Sequence, residues 1–292
     1  MNLSSPSEIK ALLEQNGFRF SKALGQNFLI NPSVCPRMAE AAVPGPEYGV
    51  IEVGPGIGVL TVELARRAEK VVSVELDERL LPILQETLAD CPNAKVVSGD
   101  ILETDLHKLI ADEFTRPDGT LMPLVLCANL PYYITSPVLM KLLSEDLPLE
   151  SVTVMVQREA ADRLCAEVGT RAAGAVTVAI RYYAEAEKLF FVSKGSFLPA
   201  PKVDSEVIRL TLRTPADDRL SADDTDRFFR MVQAGFSQRR KTILNSFSAA
   251  LGMSKADLGD LLDSLDIPRT ARIEQLTMDQ LIAVYKTAYK VV

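Results

Sequence analysis

Asn129-Leu130-Pro131-Tyr132 sets a side-chain amide, a free backbone carbonyl, a proline and an aromatic ring in consecutive order. The apolar run Met122–Ala128 ahead of it reads as a strand, so the four residues fall at a strand's carboxyl end. An exocyclic amine on a nucleobase is a poor nucleophile, because its lone pair is delocalised into the ring. Acceptors that hold its N–H groups favour a pyramidal nitrogen and free that lone pair. The Asn129 side-chain oxygen and the Leu130 carbonyl are of the right kind, and Tyr132 offers a face for an extruded base. These residues suit transfer of a methyl group to such an amine, with positioning as most of the catalysis. Taken alone, the four residues read better as an Asn-Pro turn with Tyr132 and Tyr133 packed into a core.

A second group lies upstream. Val50–Val53 runs into Gly54-Pro55-Gly56-Ile57-Gly58 and then into a helix pattern. Glycines let a backbone pass close to a ligand, and a helix start offers unpaired N–H groups. A glycine-rich turn by itself is also just a tight β-to-α connection. The spacing says more: a dinucleotide fingerprint G-x-G-x-x-G requires glycine at 59, where the chain has Val59. Glu75 closes the next strand pattern 21 positions after Gly54, where a carboxylate accepts both hydroxyl protons of a ribose. Gly99-Asp100 follows the third. Singly, each carboxylate reads as a cap or a solvated loop residue. At successive strand ends they outline a nucleoside pocket, and the missing dinucleotide spacing points to S-adenosylmethionine rather than NAD.

The elements that must position these groups alternate along the chain. Val50–Val53, Val71–Glu75, Lys95–Ser98, Met122–Ala128 and Val152–Gln157 read as strands. Val59–Arg67, Glu78–Asp90, Ser136–Ser144 and Arg158–Glu167 between them read as helices, with Asp77 and Thr135 as caps or near-caps. Such alternation gives a mostly parallel α/β sheet with helices on both faces. Ala175–Tyr183 suits a strand or a buried helix. Ala186–Val192 and Val207–Leu212 read as a closing edge. After the breaker-rich Thr214–Asp218 the pattern is helical, over Asp224 to Leu251, Ser254–Leu265 and Met278–Tyr289. The expected division is therefore a catalytic domain over 1–213 and a smaller all-helical domain over 214–292.

Composition narrows the function. The 292 residues carry 32 Lys and Arg against 39 Asp and Glu, a net charge of -7, which is the wrong sign for coating nucleic acid, so any such role must be local. Four scattered cysteines and one histidine, His107, argue against a zinc finger or a disulfide framework, and no metal is expected. The opening residues lack the apolar core of a signal peptide, and no apolar run is long enough to span a bilayer, so a soluble cytoplasmic protein is expected.

With those residues in view, the chain resembles known families. Asn129-Leu130-Pro131-Tyr132 is similar to the D/N/S-P-P-Y/F motif of adenine and cytosine amino-methyltransferases, with Leu130 in place of the first proline. Lys22–Leu29, Glu52–Gly58, Asn129–Tyr133, Phe197–Ser205 and Phe236–Thr242 occur in the order found in the ribosomal RNA adenine dimethyltransferases. The resemblance implies a Rossmann-like methyltransferase sheet and S-adenosylmethionine-dependent dimethylation of N6 of two adjacent adenosines. Their implied place is the 3′-terminal hairpin of small-subunit (16S) rRNA, within a pre-ribosomal particle late in small-subunit biogenesis. By motif, Asn27 and Leu29 would line the cofactor pocket, Gly54 and Gly56 approach the cofactor, Glu75 hold its ribose and Asp100 its adenine. Asn129 would stand between cofactor and target base, and Phe197 would stack on that base opposite Tyr132. The RNA contacts expected are Lys22, Lys202, Arg239, Arg240 and Lys241, with Lys194 a further candidate; a monomer is expected.

Three other readings compete. Methylation of a large-subunit adenosine is one, against which stand the Asn129–Pro137 run and the long helical tail. A chiefly structural assembly factor is another. A dehydrogenase is the third, disfavoured by Val59.

Overall fold

The apolar, β-branched runs pair in parallel because each is followed by a helix long enough to return the chain to the sheet's opposite edge. The computed structural model describes residues 3–21, 25–213 and 220–290; Lys22 and the Thr214–Asp218 connection lie outside them. The described chain folds as two units, 1–161 with 186–212, and 162–185 with 213–292.

In the first unit, helices α1 (Pro6–Gln15) and α2 (Val34–Ala42) flank a two-residue strand β1 (Phe28–Leu29). The main sheet then begins: β2 (Gly49–Val53), α3 (Val59–Ala65), β3 (Lys70–Glu75), α4 (Leu81–Thr87), β4 (Ala94–Ser98), α5 (Leu106–Phe114), β5 (Leu124–Asn129), α6 (Thr135–Ser144) and β6 (Leu149–Gln157). The chain continues through α7 (Arg158–Leu164), α8 (Ala175–Tyr183), β7 (Ala184–Val192), β8 (Phe197–Leu198) and β9 (Ser205–Leu212). The seven-stranded sheet has the order β4-β3-β2-β5-β6-β9-β7, and β1 pairs with β8 in a separate two-stranded sheet.

Strands β4 to β6 run parallel, and β9 lies antiparallel to β6. Every residue of β2 is buried, as expected for a central parallel strand covered on both faces. Val50, Val71, Val125 and Cys127 pack with α2 and α3 on one side of it. Ile51, Val72 and Leu126, which alternate with them, are just as buried on the other.

The second unit holds α8 with α9 (Ala222–Ser237), α10 (Ile243–Leu251), α11 (Lys255–Ser264) and α12 (Met278–Tyr289). Two expectations change here. The ambiguous run 175–183 is a helix, and it belongs to this unit rather than to a domain ending at 213. The reason is apolar: Val178 and Tyr182 join Phe228, Met231, Phe247 and Tyr285 in one core. The second change is in the tail, where a single long helix was expected from Asp224 to Leu251. The helix stops at Ser237, and the Lys241 N–H closes a turn onto the Gln238 carbonyl (2.7 Å). A new helix opens after Thr242, whose neighbour Ile243 donates to the Ala271 carbonyl (2.8 Å).

Gly49 shows how closely β2 is packed. A methyl group there would come within 2.4 Å of the Phe114 ring and 2.7 Å of Leu124. Both neighbours are fully buried. Gly49→Ala is expected to cost about 1–3 kcal/mol through overpacking, read as a lower urea midpoint with an unchanged slope.

Candidate active site

One cavity collects the strand ends. It is lined by Glu52 in β2 and Gly54–Ile57 after it, Glu75 at the end of β3, Gly99-Asp100 after β4 and Asn129–Ile134 from the last residue of β5 onward, together with Gly25–Leu29 and Phe197. The register explains the gathering, since Val53 lies level with Val74 on one side and Ala128 on the other. All the expected cofactor and catalytic positions, Asn27, Leu29, Gly54, Gly56, Glu75, Asp100, Asn129, Leu130, Tyr132 and Phe197, border this space.

Gly54, Gly56 and Gly58 all have φ between 62° and 88°, the left-handed region that favours glycine. At Gly56 a second constraint applies, because an added Cβ would sit 3.2 Å from the Phe28 ring. The loop so formed turns the Gly56 N–H onto Glu75 Oε2 (3.2 Å), while the Asp77 N–H takes Oε1 (2.8 Å). Burial pushes the Glu75 carboxyl up despite those two donors. Glu52 is buried more deeply still. Its Oε2 accepts the hydroxyls of Thr61 (2.7 Å) and Ser73 (2.6 Å), yet burial, with the Glu75 charge adding to it, raises it to about 7. Two desolvated carboxylates in one cavity make an environment that favours a cationic ligand.

Asp100 is partly exposed, and its Oδ1 also accepts the Leu102 N–H (2.8 Å). Asn129 ends β5 with its side-chain amide unengaged by any described residue, on the cavity wall. Such a group is available to a ligand. Leu130 is buried yet borders the cavity. Tyr132 shares its hydroxyl with Ser205 Oγ (2.9 Å), tying the loop after β5 to the start of β9. Phe197 is only 4% exposed, packed with Leu29 and Val192 while bordering the cavity.

The β1–β8 pairing sets Leu29 against Phe197, and the Ile30 N–H donates to the Ser196 carbonyl (2.9 Å), so the N-terminal wall is anchored to the loop before β9. A further anchor has no local sequence signal. Gln26 Nε2 donates to Asp77 Oδ2 (2.7 Å), which also pairs with Arg79 (2.6 Å), and the Arg79 guanidinium lies 5.1 Å from the Phe18 ring. Asp77 reads from the sequence only as a cap. It does accept the Arg79 N–H (3.2 Å), but its partner Gln26 is 51 residues away.

The expected RNA contacts are not a helix face. Arg239, Arg240 and Lys241 lie in the turn between α9 and α10, in the second unit. Arg239 is engaged there by the Arg171 carbonyl and by Glu274 (3.7 Å), whereas Arg240 and Lys241 are exposed. Lys194 and Lys202 are exposed on the first unit. His107 Nε2 meets the Glu145 carbonyl (2.8 Å) away from the cavity, and among the described residues no cluster of three or more metal-ligating side chains occurs.

Glu52 supplies a pH test. Its carboxyl stands near 7 when folded against an ordinary value of 4.5, so its contribution to stability is complete below about pH 4.5 and is lost as pH rises through about 7. Glu52→Gln keeps an acceptor for both hydroxyls without the charge. The variant, without added ligand, is expected to gain on the order of 2 kcal/mol over the parent at about pH 8 and little at about pH 5, by urea titration.

Comparison with known proteins gives the same reading. The ribosomal RNA adenine dimethylase family matches residues 17–290. A ribosomal RNA small subunit methyltransferase A from Geobacillus sp. (strain WCH70) is 44% identical over 97% of this chain and 96% of its own length. Among solved structures, a dimethyladenosine transferase from Plasmodium falciparum superposes with a TM-score of 0.73 at 25% identity, covering 90% of this chain and 97% of that one. The 23S rRNA methyltransferase ErmE does so with a TM-score of 0.66 at 29% identity, over 90% and 100%. With the match running through both the cavity-lining segments and the helical unit, the chain belongs to the ribosomal RNA adenine dimethylase family.

Proposed function

We propose that this enzyme uses S-adenosylmethionine to dimethylate N6 of two adjacent adenosines in the 3′-terminal hairpin of small-subunit rRNA, on a pre-ribosomal particle late in biogenesis. The observation that carries the reading is the unengaged Asn129 amide on the wall of the cavity that also holds Glu75 and Asp100. A nucleoside-bearing cation matches that lining: carboxylates at successive strand ends, a glycine loop whose backbone allows close approach, and desolvated Glu52 and Glu75.

When bound, S-adenosylmethionine supplies an electrophilic methyl group on a sulfonium. Glu75, already held by the Gly56 and Asp77 N–H groups, has lone pairs left for ribose hydroxyls, and Asp100 is assigned to the adenine edge. The Asn129 oxygen and the Leu130 carbonyl accept hydrogen bonds from the target amine's N–H groups and turn its lone pair toward the methyl group. Tyr132, steadied by Ser205, offers the stacking face. The proton left on the cationic nitrogen after transfer is acidic enough for solvent to take, so no general base is assigned.

The likeness to ErmE favours a second reading, methylation of a large-subunit adenosine. Incubating undermethylated small subunits, and large subunits in parallel, with the protein and labelled S-adenosylmethionine separates the two. Mass spectrometry of the hairpin nucleosides should find dimethyladenosine at two neighbouring positions in small-subunit rRNA. Label confined to the large subunit would reject the proposal.

Two substitutions test the assigned roles. Asn129→Ala should lower methyl transfer by about a hundredfold or more with an unchanged unfolding midpoint. Glu75→Ala should weaken S-adenosylmethionine binding by roughly ten- to a hundredfold in calorimetry, and unaltered affinity there would remove Glu75 from the pocket. Tyr132 is a cleaner probe of stacking than Phe197, whose near-complete burial means that truncation also opens a core cavity.

A further inference from the structure

An exposed strip leads away from the catalytic loop along the first unit, and it can be followed bond by bond. Tyr132 is held by Ser205 (2.9 Å), and Ser205 is level with Gln157 at the end of β6. The next residue, Arg158, donates its N–H to the Asp204 carbonyl (3.0 Å), and Asp204 Oδ1 accepts the Lys194 N–H (2.9 Å). Three segments are thereby clamped beside the loop that carries Tyr132: the end of β6, the turn after β7, and the approach to β9.

Together they display an exposed aromatic ring and three cations. Phe191 is 49% exposed, and the Arg158 guanidinium lies 5.7 Å from the centre of its ring. Lys194 and Lys202 are exposed alongside. Arg158, Lys194 and Lys202 form no ion pair with a described residue, although acidic residues outnumber basic ones and Arg181, Arg209 and Arg269 are each paired with a carboxylate. A half-exposed ring with a guanidinium against it, among cations not neutralised locally, matches the two faces of a nucleotide: a flat base and an anionic phosphate.

We propose that Phe191 and Arg158 form a stacking platform for an unpaired nucleotide flanking the target adenosine, with Lys194 and Lys202 receiving its phosphates. This rests on the reading of the cavity as the site that takes the target base. Aromatic stacking is sequence-tolerant, so the platform serves to hold the strand in register while the base is extruded rather than to read a sequence.

The test uses the full-length protein and undermethylated small subunits. Phe191→Leu, which keeps an apolar side chain without a π-face, should raise KM about tenfold with kcat much less affected, and Phe191→Trp should restore it. Arg158→Ala should raise KM similarly and reduce the slope of log affinity against log salt by about one. Calorimetric affinity for S-adenosylmethionine and the thermal midpoint should stay at the parent's values in all three. Parent-like KM in both Phe191→Leu and Arg158→Ala would overturn the platform while leaving the proposed function standing. So would equal KM in Phe191→Leu and Phe191→Trp, which would reduce the ring to packing. A parent protein that transfers no methyl to small subunits would instead overturn the reading of the cavity itself.

Discussion

Unslipped parallel pairing of β2 with both its neighbours is the constraint on which the site depends. Because Val53 stands level with Val74 and with Ala128, the chain leaves three adjacent strands at one height and one edge. The glycine loop, Glu75 and Asn129 are consequences of that levelness. They are far apart in sequence, and no direct contact among their side chains is needed to keep Asn129 in place. A slip by one residue would turn Asn129 to the opposite side of its strand and exchange the buried set for its alternate. Full burial of β2 on both faces makes such a slip costly, so the core protects the geometry of the edge.

Onto that frame is laid an electrostatic arrangement that costs stability. Glu52 is kept inside the sheet by two hydroxyls and Glu75 by two backbone N–H groups, and both carboxyls are nonetheless raised by burial. A fold selected for stability alone would put an apolar residue at 52, as at Ile51 and Val53 on either side of it. Retaining an acid there makes sense when the cavity must receive positive charge.

Much of this was legible in the sequence, and the failures are instructive. Strand ends and the residues just beyond them were readable because a run of β-branched residues followed by a glycine loop, or by Asn-Leu-Pro-Tyr, has a local signature. Asp77 shows the limit: its role as a cap is local and was seen, whereas its bond to Gln26 joins residues 51 positions apart. The Arg239–Lys241 cluster was assigned to a continuous helix because the apolar period runs on through it. The helix ends at Ser237, and the next one opens with the Ile243 N–H on the Ala271 carbonyl, a tertiary contact that no helix pattern registers. The run 175–183 was undecidable for a related reason, since an apolar, β-branched stretch of that length takes its conformation from what it packs against. Here that is Phe228 and its neighbours.

The assignment of residues 162–185 to the helical unit has a consequence for how the protein could be rearranged. The polypeptide enters that unit, returns to the first unit for β7, β8 and β9, and enters it again. The helical portion is therefore an insertion plus a tail, not an appendage. A shortened form ending at the connection after β9 would keep α8 with Val178 and Tyr182 stripped of their partners, inviting self-association. Grafting this module onto another catalytic sheet would require two joints, and evolution altering one would have to respect the other.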